Sequence, residues 1–227
     1  MLQGIINFLI GPALTWMPVV ILWLVFVAAV YLYLHRNKSE RINNLTTYEF
    51  LIIFAITFKV LYALLSSVAQ YYVWSVSALS KALLDTPLSE NVPPSIVTEL
   101  FPSIFAGNQG YFFFYAYGRF FINLFLALGL AFAFWAFLRL LRKHKDRFFE
   151  EGETELGLLC ALIVGWPNFL VFIPVVFVSI VVISITRGIF LKEAYTTMGL
   201  PFLLAAFICL IAGDWLIRVL NLGVFRI

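Results

Sequence analysis

Apolar positions in this chain come in long unbroken runs, without the alternation of half-buried strands or the three-and-four spacing of surface helices. The runs are Ala13–Leu34, Phe50–Tyr71, Tyr111–Leu141, Leu156–Trp166, Phe169–Thr186 and Gly199–Leu222. About 20 apolar residues cross a bilayer core. Five runs reach or approach that length, and Leu156–Trp166 is about half of it. The pattern predicts an all-α integral membrane protein, a bundle of about six transmembrane helices with one short and irregular. Residues Met1–Pro12, with Gly4, Gly11 and Pro12, read as interfacial. The first long run reads as a retained helix: no basic stretch precedes it, and it is too long for the apolar part of a signal peptide.

The runs lie in one transmembrane domain, residues 1–227, interrupted by a polar insert at residues 75–110. That insert carries Asp85, Glu90, Glu99 and four prolines, and its pattern predicts an amphipathic helix before Asp85. Tyr71, Tyr72, Trp74 and Tyr111 flank it, as aromatic residues do at the headgroup level. The insert reads as a passive interfacial loop, with a partner-binding cap as the alternative. No internal repeat or low-complexity tract is present.

Composition narrows the class. Of 227 residues, 63% are hydrophobic and 12% charged, with a mean hydropathy of +1.00. An ordinary soluble domain is about half apolar and about a quarter charged. A soluble enzyme, a nucleic-acid binder and a disordered scaffold are thereby excluded, and the lipid bilayer is the expected surrounding. The net charge of +3 does not point to nucleic acid, because the basic residues sit in short loops.

Those loops predict orientation. With the N-terminus outside, the inner side holds ten basic residues: Arg36, Lys38, Arg41, Arg139, Arg142, Lys143, Lys145, Arg147, Arg187 and Lys192. The outer side holds three, Lys81, Arg218 and Arg226. By the positive-inside rule both termini are extracytoplasmic, and the insert at 75–110 is too.

Ionisable residues within a span are functional candidates by default. Three are present, Lys59, Arg119 and Asp214. Arg119 and Asp214 fall at similar depths, and the expectation is a pair that fixes helix packing. Lys59 has no acid at its depth; it either faces a wet cavity or extends its stem towards the interface. Cys160 and Cys209 lie inside apolar runs and read as small buried hydrophobes. The only histidines, His35 and His144, stand in basic loops, so no cofactor or metal site is expected. Asn44-Leu45-Thr46 matches a glycosylation pattern but falls on the inner side, where it is discounted.

The third inner loop, 142–156, passes from basic to acidic just before the short run. Taken alone, Glu150, Glu151, Glu153 and Glu155 read as capping charges on a solvated face, favouring the positive end of a helix dipole.

Four short stretches carry a resemblance. Gly152-Glu153-Thr154-Glu155-Leu156-Gly157-Leu158-Leu159, followed by Gly165-Trp166-Pro167-Asn168, resembles the prepilin leader peptidases, intramembrane aspartyl proteases with a GxGD motif. There, Gly-Asp-Val-Lys-Leu precedes a short apolar helix ending in Gly-Trp. Thr197-Met198-Gly199-Leu200-Pro201-Phe202 is similar to the Pro-Phe-Gly-Pro motif opening the family's last helix. Arg41-Ile42-Asn43-Asn44-Leu45-Thr46 looks like its Ile-Pro-Asn-x-Leu-Thr. The resemblance covers roughly residues 14–222 and implies a six-helix plasma-membrane protein with both motif regions on the inner side.

It also implies where chemistry would lie. The family's second catalytic aspartate corresponds to Glu153, and its first falls near His35 or Arg36, neither a carboxylate. The shared-proton mechanism of an aspartyl protease needs two carboxylates close together. The cysteine-rich methyltransferase module of many members is missing as well. The expectation is a catalytically inactive homologue that binds pilin-like precursors or other membrane subunits. A divergent peptidase, in which Glu153 works with Glu40, Glu49 or Asp146, is the first alternative. The second is a small transporter or channel subunit built around Lys59, Arg119 and Asp214.

Overall fold

The computed structural model describes residues 9–35, 41–88, 96–144, 149–190 and 197–225, with backbone alone at 9–10, 41–46, 78–79 and 96–97. Among these residues there is no strand. Five helical stretches are long and apolar enough to cross a membrane: Gly11–Leu34, Thr47–Val76, Gly110–His144, Phe169–Phe190 and Gly199–Val219. The chain is an all-α, multi-pass membrane protein.

A wide π-helical turn, Leu9–Ala13, leads into α1, Leu14–Leu34. Helix α2, Arg41–Val76, overruns the apolar stretch that announces it, because no glycine or proline interrupts the sequence between its ends. The insert holds three short helices, α3 (Ala78–Leu84), α4 (Ile96–Leu100) and α5 (Pro102–Phe105). Helix α6, Gly110–Ala116, continues through a π-helical turn at Tyr117–Phe121 into α7, Ile122–His144. Helix α8, Glu153–Val164, has only 12 residues, about 18 Å at 1.5 Å per residue. It is the short element expected from the sequence. Helices α9, Phe169–Phe190, and α10, Gly199–Val219, complete the fold before a final 3-10 turn.

The chain forms two compact units. The first is centred on Val60–Leu124. Its core is small and aromatic: Leu84, Phe112 and Ala116 are buried, with Trp74 and Phe120 packed against them. The Trp74 ring meets Tyr111, Phe112 and Tyr115 at centroid distances of 6.2, 5.4 and 4.9 Å. The insert is held to α6 by the Tyr111 amide, which donates to the Thr86 carbonyl at 3.3 Å. The amphipathic helix expected before Asp85 is α3, with Leu84 as its buried residue.

The second unit comprises Thr15–Lys59 and Phe125–Arg226. Its centre is α8, in which all twelve residues are buried. Phe134 of α7 ties the surrounding helices together, meeting Phe169 and Phe172 of α9 and Phe202 of α10 edge to face at 5.9 Å. Such aromatic pairs contribute about 0.5–1.5 kcal/mol each beyond the area they bury. Helix α1 turns Val25, Phe26, Ala29 and Tyr33 inward, while Trp16, Val20, Leu24, Val27, Tyr31 and Leu34 form an exposed ridge. Trp23 and Phe26 seat α1 against Phe207 of α10.

Candidate functional site

Two of the residues singled out by the sequence, Glu153 and Lys59, lie at the two ends of α8. A helix leaves its first amides and last carbonyls without intrahelical partners. For a helix wholly enclosed in a membrane protein, water does not supply them, so side chains must.

At the N-terminal end stands Glu153, 1% exposed. Its Oε2 accepts the Glu150 amide at 3.1 Å, in the turn that precedes the N-cap Gly152. The same oxygen accepts the Met198 amide at 3.1 Å, at the N-cap of α10. The carboxylate thus stands in the first turn of α8, where the dipole favours it, and ties that turn to the start of α10. Gly199 is what lets it in: a Cβ there would lie 2.6 Å from Glu153 Oε1 and would collide with the Tyr33 ring. Tyr48 of α2 closes the other side, its ring edge against Gly152. Among the described residues, Glu153 thus has Tyr33, Gly199 and two backbone amides beside it, with Tyr48 against the preceding Gly152.

This corrects part of the solvated-face expectation. Glu150 and Glu151 are exposed, but Glu153 and Glu155 are buried. Glu155 accepts the Thr154 hydroxyl at 2.6 Å and faces Arg139 of α7 at 3.7 Å. The Arg139 guanidinium, itself largely exposed, lies 3.9 Å above the Trp135 ring.

His35 is exposed, stacked on Tyr31 and bonded to the Tyr31 carbonyl at 3.0 Å. From α1 it is Tyr33, two residues earlier, that comes to Gly199 beside Glu153. Arg36 lies outside the described residues, as do Glu40 and Asp146; Glu49 is exposed on α2. Among the described residues no cluster of three or more His, Cys, Asp or Glu side chains could hold a metal ion.

At the C-terminal end of α8, Gly165 adopts φ 64° and ψ 179°, a conformation that favours glycine. Lys59 of α2 comes down on it: a Cβ at Gly165 would lie 3.1 Å from Nζ. The ammonium of Lys59, half-buried in mid-span, sits at the negative end of the α8 dipole. The turn that follows places the Asn168 amide against Gly213 of α10, with Oδ1 2.9 Å from the Cβ position of that glycine. Asn168 Oδ1 is buried and makes no hydrogen bond.

Arg119 and Asp214 belong to different units. Arg119 lies exposed in the π-helical turn, its carbonyl accepting the Asn123 amide group at 3.3 Å. The Asp214 carbonyl accepts Arg218 Nε at 3.2 Å. Cys160 and Cys209 are buried free thiols, as the sequence predicts.

Sequence reasoning missed Tyr33 and Tyr48, and singled out Asn168 only as the last residue of the Gly165–Asn168 motif. The one signal for Tyr33 was its place in the row Phe26, Ala29, Tyr33 of α1; nothing in the chain marks Tyr48 apart from neighbouring polar residues. No family model, no curated protein and no solved structure matches this chain.

Proposed function

We propose that this protein is a non-cleaving membrane subunit built on the prepilin-peptidase plan, which holds a hydrophobic helix such as a pilin-like precursor without cutting it. The observation that carries this reading is the state of Glu153. A carboxylate that activates water needs a second carboxylate and room for the water between them. Glu153 is instead buried among tyrosines, with one oxygen serving two backbone amides. It works as an internal fastening of α8 to α10.

The exposed ridge on α1, from Trp16 to Leu34, offers a face for helix pairing. In lipid, such pairing depends on close packing and polar contacts, neither of which needs a catalytic acid. The same reading places the chain in the plasma membrane with both termini extracytoplasmic.

The test is an incubation of purified protein with pilin-like precursors from the same genome, with Glu153→Gln alongside. Co-purification without cleavage, unchanged in the variant, is the expected result. Cleavage that disappears in the variant would make this an active peptidase using a glutamate.

One observation favours a second reading. Transporters place broken helices at the midplane, where their ends meet the substrate; α8 ends at Gly165 against Lys59, and three residues further on the Asn168 oxygen is buried without a hydrogen bond. A small transporter subunit predicts that Lys59→Met abolishes flux in proteoliposomes; the helix-binding reading predicts no flux to abolish.

A further inference from the structure

We propose that a groove between α7 and α9 binds one acyl chain of an anionic phospholipid, with its phosphate held at the basic ends of the two helices. The groove has a volume of about 350 Å³. Leu130, Phe134, Phe137 and Leu141 of α7 form one wall, and Ile173 and Ile180 of α9 form the other.

Size decides what fits. Three turns of helix are about 16 Å long and about 10 Å across, several times the volume available. A single hydrocarbon chain is the occupant of the right width. From Leu130 to Leu141 the groove follows α7 for about 16 Å, and one leaflet of hydrocarbon is about 15 Å deep. The groove therefore spans one leaflet.

Charge decides which lipid. Directly after Leu141, the last turn of α7 carries Arg142 and Lys143. On α9, Arg187 follows Ile180 by seven residues, two helical turns, and so continues the row of Phe169, Ile173, Val176 and Ile180 that faces the groove. Arg142 and Arg187 also contact the protein itself. A guanidinium has five donors, enough to serve a phosphate in addition. An apolar slot about as long as one leaflet is deep, with Arg142 and Lys143 just past its end on α7 and Arg187 two turns past it on α9, matches a phospholipid with net negative charge.

The experiment is native mass spectrometry of the detergent-purified chain, offered phosphatidylglycerol and phosphatidylcholine with identical acyl chains. One phosphatidylglycerol per chain should be retained, in preference by about fivefold or more, the factor expected for one basic residue near an anionic headgroup. Arg187→Gln should bring the two lipids towards equality. Ala133→Trp, at an exposed groove position, should abolish retention of both. Equal retention of the two lipids by the unaltered protein would overturn the proposal, as would full retention by Ala133→Trp. A photo-crosslinking residue at Phe177, exposed on the groove rim, gives a readout in native membranes independent of those variants. Lipid adducts support the proposal; adducts to a protein would show a helix docked there and overturn it.

Discussion

Glu153 is buried and accepts two backbone amides, so its contribution to the fold can be weighed by substitution. Glu153→Ala removes the acceptor of two part-buried amides; water can replace it at the exposed Glu150, so the Met198 amide carries most of the cost, about 1–3 kcal/mol. Glu153→Gln keeps a carbonyl oxygen of the same reach. The expected order in thermal unfolding in detergent is therefore a small loss for Gln and a loss of about 1–3 kcal/mol for Ala. A chain in which both variants melt like the parent would leave the fastening role without support. Gly199→Ala belongs to the same site: its methyl would collide with Tyr33 and crowd Glu153 Oε1. Overpacking of this kind typically costs about 1–3 kcal/mol, read as a lower melting temperature. Arg139→Ala should matter less: its guanidinium is largely exposed, and at 3.7 Å its pairing with the buried Glu155 contributes about 1 kcal/mol, with some further loss from unstacking Trp135.

At the scale of the element, α8 is the unusual object: a helix of 12 residues, entirely buried, with charge supplied at both ends. Glu153 stands in its first turn and Lys59 lies against Gly165 at its C-terminal end, each on the side its dipole favours. If Lys59 and Gly165 share one site, their substitutions should not add. Gly165→Ala is strained by its positive φ and displaces Nζ; once Lys59 is shortened to Ala, only the backbone strain remains. A double-mutant cycle on unfolding should return a coupling of about 0.5–3 kcal/mol; strict additivity would separate the two residues. This element also marks how far the sequence could be read. The run Leu156–Trp166 and the acidic residues before it announced a short helix beginning near Glu153. They did not announce that Lys59 lies against Gly165 at the C-terminal end of that helix, since a search for opposite charge cannot see a helix dipole. Nor could periodicity separate the faces of α1. Trp16, Val20 and Leu24 are exposed and Val25, Phe26 and Ala29 are buried, yet all are apolar. In lipid both faces satisfy the hydrophobic effect, so the pattern that reveals the core of a soluble helix is erased.

For the whole molecule, the asymmetry of basic residues makes a prediction that the two buried cysteines render unusually clean. Cys160 and Cys209 are enclosed, so the parent chain should react little with a membrane-impermeant maleimide. Lys81 in the insert and Lys143 at the end of α7 are both exposed, and the charge count puts them on opposite sides of the membrane. In intact cells stripped of their outer layers, Lys81→Cys should be labelled at once and Lys143→Cys only after permeabilisation. The orientation matters beyond bookkeeping of the termini. Lys143 lies one turn beyond Arg139, which faces Glu155, so the label at Lys143 also reports the side on which the Glu153 end of α8 opens. Labelling of Lys143→Cys from outside would put that end, and the basic mouth of the groove, on the extracytoplasmic face. The resemblance to a peptidase family with inner-side motifs would then lose its topological agreement. The non-cleaving helix-binding function would fall with it, while the lipid site would survive in the opposite leaflet.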